Sequence, residues 1–429
     1  MREMKDSGIE WVGKVPATWK IMPNKYIMTK KKVIKEVYDG ENIISLSMNG
    51  VIIRDLEAGG KMPKTFDGYQ IVYPGNLLMC LFDYDVTPRC IGLIKDYGVT
   101  SPAYSQFVMN NGNYSGYYYY YYLMIDHTKA LLHLAKNLRH SLTEEQLGAI
   151  LAPVPTIEEQ QRIVDFLDFK CSKIDASAED IQKEISLLEE YKKSVITEAV
   201  TKGLNPDAEM KDSGIEWIGD INPKASLCRL KFFSYMKGRI GWQGLKSEDF
   251  IDNGPYCVTG TDFINGKINW DTCYHVSEER YKMDSNIQLK IGDLLVTKDG
   301  TIGKLAKVTE LPEKACLNSH LLIIRPLNER FTNEYLYYVI SSDVFVRYYK
   351  YSSTGSTIES LSQDKLGNFI FPVYDLLSQQ QIVDYLDTKC SEIDSLIADK
   401  KRQLDILADY KKSLIYEYVT GKKEVPVNE

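Results

Sequence analysis

A chain of 429 residues with a net charge of −7, 44% apolar and 26% charged side chains has room for two to four domains and the balance of a globular protein. No apolar run reaches the length of a membrane span, and MREMKDSGIEW lacks the basic-then-apolar pattern of a secretion signal, so a cytoplasmic protein without a membrane partner is expected. The eight cysteines are scattered, with no C-x-x-C pair beside histidines, so reduced thiols packed as small hydrophobes are expected, and no metal or other cofactor.

The first element, EMKDSGIEWVG at Glu3–Gly13, returns as EMKDSGIEWIG at Glu209–Gly219. Between them lies a first insert in which short β-rich runs such as Gln70–Cys80 alternate with Gly, Asn and Asp turns. Tyr84, Thr87 and Arg89 share a polar stretch with Asp83 and Asp85. Arg89 suits a guanine edge, or else it pairs those carboxylates. Lys30–Lys32 reads as a solvated charge run or a phosphate contact. The six consecutive tyrosines Tyr117–Tyr122 cannot all face one way, so a partly buried element is favoured over a stacking platform. Arg139 and His140 end the insert as a further pair of candidate contacts.

Next comes Gln160–Thr201, which returns at Gln379–Thr420 with an offset of 219 and 22 identities in 42 positions. Apolar residues recur at alternating spacings of three and four, including Leu167, Ile174, Ile181 and Leu188, then Leu386, Ile393, Leu404 and Leu407 in the second copy. The pattern predicts two long coiled-coil helices, each the other's mate and running antiparallel in a pseudo-twofold frame. Lys192 and Lys411 interrupt the seam at one equivalent place, as snorkelling lysines or as register or partner contacts. Trp11 and Trp217 either pin their repeated segments to the neighbouring domain or dock a partner presented twice.

The second insert carries the apolar strand Ile291–Thr297 and then Asp299–Lys304, a tight polar loop. Lys298, Thr301 and Lys304 there suit phosphate or groove contacts, or form a plain hairpin turn. Asn318, Ser319 and His320 precede another apolar strand, as base-edge donors and acceptors or as turn caps. Thr354 and Ser356 lie in a hydroxyl-rich loop that could bond phosphates or serve as a linker. Charge is uneven along the chain. Residues 156–205 hold 7 basic against 11 acidic side chains and 376–429 hold 8 against 10, so the repeated frame carries −6 of the −7.

The architecture expected is α+β, divided as 1–155, 156–205, 206–375 and 376–429, with the first and third segments as mixed domains and the others as long helices. The chain also resembles, in order and along nearly its whole length, the specificity subunits of Type I restriction–modification systems. The resemblance is carried by MKDSGIEWIG, RIGWQGL at Arg239–Leu245, GDLLVTKDGTIGK at Gly292–Lys304, NSHLLIIRP and QQQIVDYLD, and in the first half by MCLFDYDVTPRCIG and VTSPAYSQF. It implies two target recognition domains, each reading half of a split double-stranded DNA site, with the helices fixing the gap. It also implies two methyltransferase (modification) subunits docked on the scaffold and restriction subunits that add ATP-driven cleavage.

No Asn/Asp-Pro-Pro-aromatic loop, Walker loop, HExxH or Gly-x-Ser-x-Gly occurs, which fits a non-catalytic reader. The rival readings are a coiled-coil adaptor whose inserts bind protein, and a nuclease built on scattered carboxylates.

Overall fold

The computed structural model describes residues 2–58, 63–135, 139–239, 245, 247–353 and 360–426. The chain folds as two units, Met1–Ile181 with Arg402–Glu429, and Gln182–Lys401. Each unit therefore holds part of both long helices.

The duplicated EMKDSGIEW segment forms the same small hairpin in both units. The N–H of Ser7 donates to Gly13 O at 3.0 Å and that of Ser213 to Gly219 O at 3.1 Å. Asp6 and Asp212 each accept from the glycine two residues on, at 3.0 and 2.9 Å. Those glycines, Gly8 and Gly214, both have φ of 69°, a left-handed turn that a side chain would strain. Identical residues thus reproduce identical hydrogen bonds.

Each unit is built on a mainly antiparallel sheet. In the first, β1 (Met28–Lys31), β2 (Leu77–Met79), β3 (Ile91–Leu93) and β4 (Ser105–Met109) lie in the order β1-β4-β2-β3. In the second, β5 (Ser234–Lys237), β6 (Leu294–Thr297), β7 (Leu305–Lys307) and β8 (Leu321–Pro326) lie in the order β5-β8-β6-β7, continued by Lys267–Ile268 and Phe263–Ile264. The central strands β2 and β6 are buried on both faces, and their alternate residues enter two different cores. Leu294 and Val296 join the core shared with the helices, while Leu295 packs into a second core under the strands Phe250–Val258 and Ala315–Leu317.

The tyrosine run lies in α1 (Ser115–Thr128), where five of the six are buried and Tyr119 is half-buried. Burial asks each phenol for a partner. Tyr117 donates to Val419 O at 2.7 Å, Tyr120 to Asp168 at 2.6 Å and Tyr121 to Leu151 O at 3.2 Å. The run is a core element, not a platform for bases.

The long helices are α2 (Ile157–Lys202) and, after α3 (Asn333–Ser341), α4 (Leu376–Val419). Of the expected seam positions, Leu167, Ile174, Leu386 and Ile393 are buried, while Ile181, Leu188, Leu404 and Leu407 are half-buried. In the first unit Asp175 meets Lys411, and Phe166 meets Tyr418 at 4.4 Å between ring centres. In the second, Glu184 meets Lys400 and Lys192 meets Asp394. In both units, rising numbers on one helix face falling numbers on the other, so the segments run antiparallel.

Lys192 and Lys411, weighed as docking positions, are engaged inside this helix pair. Each ammonium lies within 2.7 Å of the carboxylate oxygens of Asp394 or Asp175. Both remain part-exposed, at 29% and 27%, so each ammonium is engaged within the helix pair at the helix surface.

A buried glutamine ties each helix start to its domain. Gln160 accepts from Tyr114 N at 2.8 Å and donates to Pro155 O at 3.1 Å. Gln379 accepts from Thr332 N at 3.0 Å and donates to Arg330 O and Tyr374 O at 3.0 and 2.7 Å.

Candidate functional site

The candidate residues of the second insert converge on the loop between β6 and β7. Thr297 closes it: its hydroxyl donates to Thr301 O and accepts from Lys304 N at 2.9 Å. Gly300 and Gly303, with φ of 69° and 80°, let the backbone turn back on itself. Beside it runs Asn318–His320, entering β8. Lys298 N donates to His320 O at 2.9 Å, and the His320 ring lies 3.2 Å from Asp299. Lys298, Thr301, Lys304, Asn318 and His320 are therefore brought together at one end of the sheet, with Thr301, Lys304 and His320 exposed. Lys304 is not wholly loose, since its ammonium donates to Gly260 O at 3.0 Å. Thr354 and Ser356 lie outside the described residues.

In the first insert the equivalent connection, between β2 and β3, is Cys80–Cys90. It also meets a second segment, because Asp83 N donates to Arg139 O at 2.8 Å and Tyr84 N to His140 O at 3.2 Å. Asp83 and His140 reach this with φ of 46° and 43°. Lys129 staples the loop from below, donating to Thr87 O and to Asp126, each at 2.7 Å. Asp126 in turn accepts from Cys90 N at 2.8 Å.

Two expectations here are corrected. Tyr84 is 3% exposed, with the Lys129 ammonium 4.8 Å over its ring, so it is a core side chain that reaches no ligand. Burial, with Asp126 adding to it, pushes its phenol far above the ordinary value. Arg89 pairs with neither Asp83 nor Asp85. It donates to Ile91 O and Met48 O, each at 3.1 Å, and to the Tyr119 hydroxyl, pinning a neighbouring hairpin to α1. Lys30 and Lys31 are likewise engaged, with Glu144 and over the Tyr73 ring.

The repeated tryptophans pin their segments within their own units. Trp11 Nε1 donates to the Tyr121 hydroxyl at 3.4 Å, and Trp217 Nε1 to Ile370 O at 3.1 Å. Both indoles remain half-exposed.

Sequence reading missed the supports of these loops. Asp126 and Lys129 sit at the end of the tyrosine helix, dozens of residues from the loop they hold. Arg239, 3% exposed, donates to Leu317 O at 3.0 Å and so fixes the peptide just before Asn318. Arg325 and buried Asp293 form a two-pronged pair at 2.6 and 2.8 Å behind β6 and β8. A carboxylate placed next to an apolar strand, as in Gly292-Asp293-Leu294, was the available signal.

Residues 243–405 match the family model described as Type I restriction modification DNA specificity domain. The chain is 25% identical over 281 residues to the Type I restriction enzyme MjaVIII specificity subunit of Methanocaldococcus jannaschii, covering 64% of this chain. The match spans 63% of that relative, a little under two thirds of its length. A solved chain described under "Structural basis underlying complex assembly and conformational transition of the type I R-M system" superposes with a TM-score of 0.68 at 16% identity. That likeness covers 95% of this chain and 99% of the solved one, and it establishes a common fold. Residues 243–405 thus match a Type I restriction modification DNA specificity domain, and the chain as a whole is similar in sequence and fold to type I specificity subunits.

Proposed function

We propose that this chain reads a split DNA target for a type I restriction–modification complex, each unit reading one half. In the second unit the reading surface is Lys298, Thr301, Lys304, Asn318 and His320. In the first it is Thr87 with Arg139 and His140. Phosphate contacts supply salt-dependent affinity, and loop side chains in the grooves supply specificity.

The observation that carries this reading is the pair of loops at one equivalent place. The connections β2–β3 and β6–β7 join matching strands of two sheets with the same strand order, yet one is Cys80–Cys90 and the other Lys298–Lys304. A common frame with unlike loops is what two readers of different half-sites require.

Chemistry belongs to partners in this proposal: two modification subunits methylate adenine, and restriction subunits cleave. A repeated surface supports two copies of one partner. Leu187 and Tyr191 are 63% and 57% exposed, and their counterparts 219 residues on, Ile406 and Tyr410, are 67% and 54% exposed. These exposed pairs, placed alike on both helices, are the contact sites proposed for that partner.

The test is co-expression with modification subunits and mapping of methylated adenines. Exchange of residues 14–152 for the first insert of another member should change one half of the methylated motif only. A change in both halves, or in neither, rejects one reader per unit.

A further inference from the structure

In the second unit, an open cleft of about 870 Å³ lies between the long-helix segments and the far end of β7. Lys192, Lys193, Lys267, Lys307 and Lys401 line it against Glu189, Asp387 and Asp394, a surplus of two positive charges on a chain of net −7. Lys192 and Lys193 are neutralised by Asp394 and Asp343. Lys267, Lys307 and Lys401 have no carboxylate within ion-pair distance among the described residues.

The placement of Lys267 and Lys307 is costly. They are direct register partners on neighbouring parallel strands. Like charges facing one another across a sheet disfavour the pairing, an effect Lys307 offsets in part with its ammonium 4.9 Å over the Tyr337 ring. The turn that holds them there is built with care. Asn265 and Gly266 adopt φ of 49° and 75°, Gly266 lies flat against the Tyr337 hydroxyl, and Lys307 N donates to Gly266 O at 2.8 Å.

The first unit has a cleft of about 610 Å³ at the corresponding place. Its helix wall repeats the other at the offset of 219: Lys411, Lys412, Asp168 and Asp175 stand where Lys192, Lys193, Asp387 and Asp394 do. The insert wall is unrelated in sequence, yet it also adds two cations, Arg89 and Lys95, and the surplus is again two. Two dissimilar inserts have brought the same charge to the same frame.

We propose that each cleft is a sequence-independent seat for the phosphodiester backbone of duplex DNA, with Lys267 and Lys307 as the phosphate contacts in the second unit and Lys95 in the first. This rests on the DNA-reading function above and adds to it a site apart from the loops. Compact ammonium groups suit phosphate as point charges, and two of them side by side gain most from a ligand carrying repeated charge.

The test is the full-length chain titrated with a mixed-sequence fluorescent duplex over a range of salt. K267Q/K307Q should lower the slope of log affinity against log salt by about 2, at roughly 0.9 per phosphate lost, and each single variant by about half of that. K224Q/K290Q, exposed lysines of the same unit outside the cleft, should leave the slope unchanged. Thermal unfolding should show the double variant folded, so that a changed slope reports the cleft and not a lost fold.

If the parent binds duplex and K267Q/K307Q keeps the parental slope, the cleft assignment falls while the loops stand. A parent that binds no duplex at all sinks the DNA-reading function itself. Should the double variant retain duplex but lose poly-glutamate, the cleft belongs to an acidic polypeptide and the assignment is overturned.

Discussion

Lys192 donates to both carboxylate oxygens of Asp394 at 2.7 Å, and Lys411 donates to those of Asp175 at 2.6 and 2.7 Å. Adding 219 to Lys192 and to Asp175 gives Lys411 and Asp394, so one ion pair occurs twice with the roles of the helices exchanged. Gln160 and Gln379 at the helix starts, and Asp168 and Asp387, which accept from Tyr120 and Tyr338, recur at the same offset but tie each helix to its own domain. Register is therefore set by repeated polar contacts as well as by the apolar seam.

The lysines are about three-tenths exposed, so each pair is worth little alone, about 0.5 kcal/mol. A double-mutant cycle on K192M and D394N by denaturant unfolding should give a coupling of that size. The charge-reversed pair K192D/D394K should recover most of it. A coupling of zero would assign register to the apolar seam alone.

Gln379 is a larger matter, because it is wholly buried and satisfies three backbone groups. Gln379→Leu strands Thr332 N, Arg330 O and Tyr374 O, at about 1–3 kcal/mol for each unsatisfied group. Urea unfolding followed by fluorescence should show a loss of at least about 3 kcal/mol. Gln379→Glu should do no less harm: it keeps the acceptor for Thr332 but turns its second oxygen on the Arg330 and Tyr374 carbonyls in a wholly buried site.

Tyr84 and His320 should separate stability from reading. Tyr84→Ala empties a core position and should cost about 3–5 kcal/mol while leaving the methylated motif as it is. His320→Ala touches an exposed side chain, so it should leave stability within about 0.5 kcal/mol. Its expected effect is relaxed specificity in the second half-site only, read by methylation mapping.

The helix starts should differ in acid. Asp375 caps α4, accepting from Ser378 N at 2.9 Å, and that bond holds its carboxyl below the usual range. A depressed value in the folded state means that the cap's contribution is complete above the unfolded carboxyl value, near pH 4. It is then lost as pH falls through the lower folded value. The counterpart capping α2 is Thr156, which accepts from Glu159 N at 3.3 Å and does not titrate. Hydrogen exchange at falling pH should show the first turn of α4 opening before that of α2, and D375T should abolish the difference.

Much of this was legible because it was local or repeated. Identical residues imposed identical hairpins at Glu3–Gly13 and Glu209–Gly219, and heptad spacing found both helices to within a few residues of their ends. The run GDLLVTKDGTIGK placed a glycine turn after an apolar strand, which is where the loop lies. What spacing could not show was which distant groups occupy a side chain. Arg89 looked available because its acceptors, Met48 O and the Tyr119 hydroxyl, are 41 and 30 residues away. Tyr84 looked polar in a polar stretch, yet α1 covers it. The facing pair Lys267 and Lys307 is 40 residues apart and exists only once the sheet has formed.

The order of synthesis gives the closing residues of the chain a particular weight. Leu414, Ile415, Tyr418 and Val419 belong to the same core as Trp19 and Tyr117, and Gly421 lies so close to Pro16 and Trp19 that a methyl group there would collide with both. The unit whose first 181 residues are synthesised first is thus completed only after residues 402–421 have been made. A chain truncated after residue 401 would keep every residue of the second unit and lack the segment that completes the core of the first.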